Sequence, residues 1–219
     1  MESILLQKLA EKSITKEQLA KKVRLNPNLI PEIISGISSA KPAIRYGCGK
    51  ILMDVSTEHP DRLYPYLEFF RDMLDSKYRI LTWNAICIIA NLTKVDTENK
   101  FDVMFDKYYR LLNNEYMVTV ANVVGNSGKI AVAKPQLSEQ IVEKLLTVEE
   151  ISTTPHLSAE CKRVITEHAI KAFDEFFPQI QQKEKVTAFV KKHLKSSRKS
   201  LRTAADDFLK KWDHQDEFS

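Results

Sequence analysis

One helical pattern recurs along the chain and restricts its fold more than any other feature. A nine-residue segment has mostly large apolar residues at its first, eighth and ninth positions and a small residue at its fifth. These positions share one face of an α-helix, where the small residue lets a neighbouring helix approach closely. The five segments begin at Ile44, Leu81, Met117, Ile165 and Leu201. Their spacings of 37, 36, 48 and 36 residues are typical of a helical repeat.

A second apolar segment precedes each of these helices, so each repeat is predicted to be an A helix followed by a B helix. The predicted A helices are 29–37, 64–74, 101–112, 137–146 and 186–194. Ser39, Ser76 and Ser196 each lie five residues before the start of a B-helix segment, where we expect the hydroxyl to cap the first turn. Residues 149–156 are polar and contain a proline, which predicts a loop that lengthens the fourth interval.

The pattern predicts an all-α fold, with one domain over residues 1–219. We expect a right-handed superhelix, or solenoid, of about five helix pairs, closed at one end by a pair of cap helices in residues 1–26. Thr15 and Gln18 have the spacing of a capping box at the start of the second cap helix. The predicted repeats are 27–57, 60–94, 99–131, 135–178 and 181–212.

The B-helix segments resemble those of HEAT repeats, whose consensus begins with valine and arginine and continues with alanine and leucine. Two segments keep this consensus in approximate form: Ile44-Arg45 with Cys48-Gly49, and Leu201-Arg202 with Ala204-Ala205. Residues 85–92 are similar to the third helix of an armadillo repeat. The resemblance extends from Asn28 to Trp212. It implies a HEAT-like or armadillo-like architecture and does not identify an activity.

The resemblance implies that a partner would bind along the concave surface formed by the B helices. The polar B-helix residues expected to line or border this surface are Arg45, Thr82, Asn84, Asn91, Thr119, Asn122, Thr166 and Arg202. In armadillo proteins the asparagine at the position of Asn91 binds the backbone of an extended peptide. The neighbouring repeats carry Asp54 and Ser127 instead, so the asparagine ladder is absent. The alternatives are that Asn91 bridges neighbouring turns and that the surface is an ordinary solvated one.

Positive charge is concentrated towards the C-terminal end. Ten Lys and Arg residues lie between 181 and 211, although the net charge of the whole chain is only +4. The predicted basic patch consists of Lys191, Lys192, Lys195, Arg198 and Lys199. Such a cluster attracts phosphates or acidic protein surfaces. The alternative is a solubilising cap, because no aromatic residues for base stacking alternate with these cations.

The sequence lacks the motifs expected of an enzyme or a metalloprotein. The five histidines have no metal-binding spacing, and neither a phosphate-binding glycine loop nor a G-x-S-x-G motif occurs. We therefore predict a non-catalytic protein without a cofactor or metal. Cys48, Cys87 and Cys161 do not form a disulfide pattern, and no run of about 18 apolar residues occurs, so a cytoplasmic protein without a membrane span is expected.

Three functions remain open. The first is a scaffold that binds a protein partner. The second is a nucleic-acid-binding protein or a DNA glycosylase acting on alkylated purines, because such glycosylases are also built from HEAT-like repeats. That site would need tryptophans and an acidic residue in a basic groove, and Trp83 is the only tryptophan besides the near-terminal Trp212. The third is a phycobilin lyase or another metabolite-modifying HEAT-like protein, which no residue favours.

Overall fold

The computed structural model describes residues 3–213, except the side chain of Asp213. The secondary structure of this part is helical apart from an isolated antiparallel bridge between Thr154 and Leu157. The helices up to the middle of the chain are α1 (Ile4–Ala10), α2 (Lys16–Leu25), α3 (Ile30–Gly36), α4 (Pro42–Glu58), α5 (Pro60–Leu63), α6 (Leu67–Met73) and α7 (Arg79–Leu92). The later helices are α8 (Lys100–Tyr109), α9 (Met117–Ala133), α10 (Ser138–Leu146), α11 (Ala159–Phe176), α12 (Lys183–Lys191) and α13 (Lys199–Asp213).

Residue contacts divide the chain into two compact units, the first ending at Phe101 and the second beginning at Asp102. In the first unit, α4 contacts α2, α3 and α7, and α6 contacts α7. In the second unit, α11 contacts both α9 and α13, and α12 contacts α13. Each unit is therefore a row of long B helices with shorter A helices packed against it. The single domain over residues 1–219 and the number of repeats stay predictions, and the ends of that range lie outside the described residues.

The predicted alternation of A and B helices is confirmed. The A helices are α3, α6, α8, α10 and α12, and the B helices are α4, α7, α9, α11 and α13. Cys48, Ala85, Ala169 and Ala205 occupy the small position of their B helices and are completely buried. A larger residue at this position would push the adjacent helix away, which explains why the position is small.

The second A helix differs from the single helix predicted over 64–74. α5 ends at Leu63, a 3₁₀ turn covers Tyr64–Tyr66, and α6 begins at Leu67. Pro65 explains the break, because it has no backbone N–H with which to continue the α-helical hydrogen bonds.

The predicted capping box at the start of α2 is confirmed. Thr15 Oγ1 accepts a hydrogen bond from Gln18 N at 3.2 Å, and Gln18 Oε1 accepts one from Thr15 N at 3.0 Å. The side of α2 that faces the core contains the buried residues Leu19, Ala20 and Val23, and α2 packs against α4. None of the helices in the described part has both the length and the hydropathy needed to cross a bilayer.

The predicted loop before α11 is present, although it begins slightly later than predicted. A 3₁₀ turn covers Thr147–Glu150, and residues 151–158 connect it to α11. The loop rests on the turn that precedes α9. Thr154 Oγ1 donates to the carbonyl of Glu115 at 2.8 Å, and the rings of His156 and Tyr116 stack with their centres 4.5 Å apart.

Candidate functional site

The turns between A and B helices share one local geometry. A side-chain oxygen accepts a hydrogen bond from the backbone N–H two residues later. The four acceptor–donor pairs are Ser39–Lys41 at 3.1 Å, Ser76–Tyr78 at 3.2 Å, Asn114–Tyr116 at 3.0 Å and Ser196–Arg198 at 3.3 Å. The three serines therefore close the turn before the helix, which corrects the prediction that they cap its first turn. Residues 41 and 78 occupy the N-cap positions of α4 and α7.

These turns also fix the register of the repeats. Ser76 and Asn114 are 38 residues apart. The residue five positions after each of them is the first buried residue of the following B helix. This makes Thr119, rather than Met117, the equivalent of Leu81 in the third repeat. Thr119 is 2% exposed, as expected for a position that faces the core.

Arg45 and Arg202 hold the same kind of turn. Each arginine lies six residues after the serine of its turn and donates a hydrogen bond to the backbone carbonyl of that serine. The distance is 2.8 Å from Arg45 Nη1 to the carbonyl of Ser39 and 2.5 Å from Arg202 Nη1 to the carbonyl of Ser196. The guanidinium of Arg45 also lies 3.8 Å from the centre of the Tyr78 ring. Arg45 is only 6% exposed, whereas Arg202 is half-buried. Both predicted contact residues are therefore bonded within the chain.

Asn91 bridges two B helices of the first unit. Its Nδ2 donates to Ser56 Oγ at 3.0 Å and to Thr57 Oγ1 at 3.3 Å, so it joins α7 to α4. The structure thus supports the alternative in which this asparagine bridges neighbouring turns. By the register of the turns, the equivalent residue of the third repeat is Lys129 rather than Ser127.

Other predicted groove residues are also buried. Asn84 Nδ2 donates to Met53 Sδ at 3.6 Å, and its Oδ1 has no hydrogen-bond partner among residues 3–213. This oxygen lies against Gly49, where a Cβ atom would be 2.6 Å away. Thr82 and Thr166 face the core as well. The expectation that these positions point away from the core is therefore wrong, and their contact with a partner stays a prediction.

In the second unit, α9 and α11 form a different, polar surface. Gly125 lies under the His168 ring, and Gly128 lies under Glu175, where an added Cβ would be 2.6 Å from the carboxylate carbon. These two glycines bring the side chains of α11 over the backbone of α9. We use the name α9–α11 surface for the residues Asn122, Lys129, His168, Lys171 and Glu175. Asn122 and His168 are half-buried, and Lys129, Lys171 and Glu175 are exposed.

Charge and burial determine the protonation of this surface. Burial lowers the pKa of His168, and the positive charge of Lys171 acts in the same direction. The ring is therefore neutral at pH 7. Partial burial raises the pKa of Glu175, and Lys129 opposes that shift. The surface thus presents an amide, a neutral imidazole and charges of both signs within two adjacent helices.

Sequence reasoning named only Asn122 among these five residues. The missed signal is glycine, since the chain has only 5 glycines and two of them are three residues apart on α9. In a helix this spacing marks one face where another helix approaches closely.

The predicted basic patch is partly neutralised. Lys192 Nζ lies 2.7 Å from Glu149 Oε2, and Arg198 Nη1 lies 2.7 Å from Glu160 Oε1. Lys191, Lys195 and Lys199 are exposed, and no ion pair to them is found in the described part of the chain. Three of the five predicted cations therefore remain available to an anionic ligand.

Glu167 connects α11 to the last A–B turn. Its carboxylate accepts hydrogen bonds from Lys171 Nζ at 2.6 Å, Ser200 Oγ at 2.6 Å and Arg198 Nε at 3.2 Å. Burial opposes ionisation, but these hydrogen bonds outweigh it and lower the pKa of Glu167 to about 2. Arg198 thus holds the last repeat in place, which gives this member of the predicted basic patch a structural role.

The loop before α11 borders a groove of about 820 Å³ in the second unit. Its walls come from the end of α8, from α10 and from residues 150–154. They mix polar and charged side chains, including Asp106, Arg110, Lys144 and Glu150. No group of three His, Cys, Asp or Glu residues suited to a metal ion occurs between residues 3 and 213.

Trp212, near the end of α13, packs against the end of α11. Trp212 Nε1 donates to Asp174 Oδ1 at 2.7 Å, and its ring lies 5.0 Å from that of Phe177. Trp212 also lines a groove of about 320 Å³ together with Lys183, Glu184 and Lys191.

Comparison with solved structures shows the fold. A designed armadillo repeat protein, YIII(Dq)4CqI, is similar over 94% of this chain and 90% of its own, with a TM-score of 0.63 and 18% identity. A second, YIII(Dq.V1)4CPAF in complex with the peptide (KR)4, has the same coverage, a TM-score of 0.61 and 14% identity. An engineered protein is similar over 94% of this chain and 86% of its own, with a TM-score of 0.52 and 13% identity.

No protein-family model matches the chain, and no curated protein does. The structural likenesses confirm an all-α solenoid of the armadillo/HEAT type. At this level of identity they concern architecture, so the function has to be inferred from the surfaces described above.

Proposed function

We propose that this chain is a non-catalytic scaffold that binds a protein partner through the α9–α11 surface. The observation that carries the proposal is the close approach at Gly125 and Gly128, which unites polar side chains of two B helices in one accessible surface. Helical-repeat proteins commonly bind partners in this way, with each helix contributing a few contacts. One of the similar designed proteins is in complex with a peptide, which supports the same class of function.

The chemistry of the surface suits a polar segment of mixed charge. The amide of Asn122 can exchange hydrogen bonds with a peptide backbone, although Nδ2 donates to the carbonyl of Val118 at 2.7 Å. Lys129 and Lys171 favour acidic side chains, and Glu175 favours a basic one. The neutral imidazole of His168 offers both a donor and an acceptor.

The contact residues that were predicted from the sequence have different roles in this proposal. Asn122 is a contact residue. Arg45 and Arg202 position the A–B turns, and contact through Thr82, Asn84, Asn91 or Thr119 stays a prediction. The cytoplasmic location also stays a prediction.

A capture experiment with a matched control tests the proposal. The full chain, the double variant Lys129→Ala/Lys171→Ala and the control Lys185→Ala, which removes an exposed lysine from α12, serve as baits. We expect one protein to be enriched by the full chain and the control, and at least about tenfold less by the double variant, since two contacts of about 0.7 kcal/mol each amount to a factor of ten. Equal enrichment by all three baits would contradict the proposed surface.

Nucleic-acid binding is the second candidate, because Lys191, Lys195 and Lys199 are exposed in the last repeat. Fluorescence anisotropy with a 20-base-pair DNA duplex tests it. Binding that falls steeply between about 50 and 200 mM salt, and that is weakened by Lys195→Ala/Lys199→Ala, would favour this candidate over the scaffold. The scaffold proposal predicts no measurable binding at 150 mM salt.

A further inference from the structure

The cap helices of the first unit form a groove that the proposed scaffold surface does not use. The groove has a volume of about 600 Å³ and lies between the end of α1 and one side of α2. On α2, Gln18, Lys21, Lys22 and Leu25 follow one another at helical spacing and line it. Lys8 of α1 contributes a third cation, and Ile14 lies in the turn between the helices.

The groove combines exposed apolar surface with positive charge. Leu25 is 78% exposed although it is a large apolar residue at the end of α2. Lys8, Lys21 and Lys22 are exposed, and no ion pair to them is found among residues 3–213. An occupant that suits this groove has several carboxylates and at least one large apolar side chain.

The sequence after Trp212 of the same chain has this chemistry. Residues 213–219 read Asp-His-Gln-Asp-Glu-Phe-Ser, with three acids and one phenylalanine and no Lys or Arg. The acids match the three groove lysines in number, and Phe218 matches the exposed apolar surface of Leu25. The six residues that follow α13 reach about 20 Å when extended, which is enough to cross the side of a short helix.

We propose that the segment 213–218 of one copy docks in the groove between α1 and α2 of a second copy. Such a contact is heterologous, because one copy contributes the groove and the other contributes the segment. Both elements remain available on the outer copies, so further copies can add. The degree of association should therefore rise with protein concentration and fall with salt, since exposed charges are screened.

A peptide titration tests the docking with the intact chain. The probe is a fluorescein-labelled peptide with the sequence of residues 212–219, titrated with the full chain. We expect saturable binding that is weakened at least about tenfold by Lys21→Glu/Lys22→Glu and by Leu25→Ser. The matched control Lys195→Glu/Lys199→Glu makes the same charge change in the basic patch and should leave binding unchanged. Circular dichroism verifies that each variant is folded.

Reversing the charges of both the groove and the segment gives an independent test. Light scattering should show an average mass that rises with concentration for the full chain and stays at the monomer value for Lys21→Glu/Lys22→Glu. Adding Asp216→Lys/Glu217→Lys to that variant should restore the rise. Absence of peptide binding, equal loss with the basic-patch control, or failure of the exchange to restore association would each overturn the proposal.

Discussion

The B helices of the two units differ in where some of their polar residues lie. In the first unit, Arg45 and Asn91 are buried and hydrogen-bonded to neighbouring turns and helices. In the second unit, Lys129 and Lys171 occupy the exposed side of adjacent B helices. The second unit is also braced internally, by Arg202 and Glu167, but its helices α9 and α11 carry an accessible polar surface as well.

The difference follows from what lies opposite each polar residue. Asn91 faces Ser56 and Thr57, whose hydroxyl groups are small enough to leave space and polar enough to accept its N–H groups. On α9, Gly125 lies against His168 and Gly128 lies against Glu175, and neither glycine offers a side chain to bond. Longer side chains of α11 therefore lie over the α9 backbone and end in solvent. A repeat pattern specifies which positions face a neighbour, and the neighbour decides whether a polar residue is buried.

The largest expected effect is the loss of bracing at Arg45. Arg45→Ala removes hydrogen bonds to the carbonyls of Ser39 and Ala40 and the contact with the Tyr78 ring, and we expect the free energy of unfolding to fall by about 2–3 kcal/mol. The half-exposed Arg202→Ala should cost about 1 kcal/mol. Urea denaturation measures both, and equal losses would remove the contrast between the two turns.

The next effect concerns the bridge between α7 and α4. Asn91→Ala should lower the free energy of unfolding by about 1–2 kcal/mol, because the hydroxyl groups of Ser56 and Thr57 lose the amide that donates to them. Asn122→Ala, at the half-buried position on α9, should change it by less than about 0.5 kcal/mol. A double-mutant cycle with Ser56→Ala should give a coupling of about 0.5–1 kcal/mol for Asn91, and a coupling near zero would contradict the bridge.

A third effect depends on pH and concerns Glu167. Its pKa is about 2 in the folded chain and about 4.3 in an unfolded one. The carboxylate therefore contributes stability above about pH 4.3, and this contribution is lost as the pH falls towards 2. The difference in stability between the natural chain and Glu167→Gln should shrink over that range. Glu143→Gln, at an exposed position of α10, is the control, and an unchanging difference for Glu167→Gln would exclude the network.

The smallest expected effect is at the α9–α11 surface itself. Lys129→Ala should change the free energy of unfolding by no more than about 0.5 kcal/mol, since an exposed charge contributes little to stability. Lys171→Ala also removes a hydrogen bond to Glu167 and should lower it by about 0.5–1 kcal/mol. Thermal unfolding monitored by circular dichroism is sufficient for this measurement. A loss above about 1 kcal/mol would mean that these lysines brace the fold, as Arg45 does.

Sequence patterns predicted the architecture well for a physical reason. Close packing of B helices favours a small residue in mid-helix, as at Cys48, Ala85 and Ala205, whereas the register of the turns places the buried Val123 at this position of α9. The capping box of Thr15 and Gln18 is likewise local, because both partners lie within one turn. Such signals do not depend on distant parts of the chain.

The candidate site was harder to predict because it depends on partners far apart in sequence. Asn91 and Ser56 are 35 residues apart, and Gly128 meets Glu175 across an even longer separation. The periodic pattern also set the register of the third repeat two residues too early within α9, because Met117 is apolar and satisfies the pattern, whereas the turn at Asn114 makes Thr119 the equivalent of Leu81. Hydrogen bonds at the turns, rather than apolar spacing, resolve that register.

Cysteine labelling in the folded state tests the contrast between the two units most directly. Single cysteines would replace Asn84, Asn91, Lys129 and Lys171 in turn, in a chain with Cys48→Ala, Cys87→Ser and Cys161→Ser, and their reaction with a maleimide would be timed. We predict that the Lys129 and Lys171 positions react at rates close to those in urea, and that the Asn84 and Asn91 positions react at least about a hundredfold more slowly. Similar rates at all four positions would contradict the account.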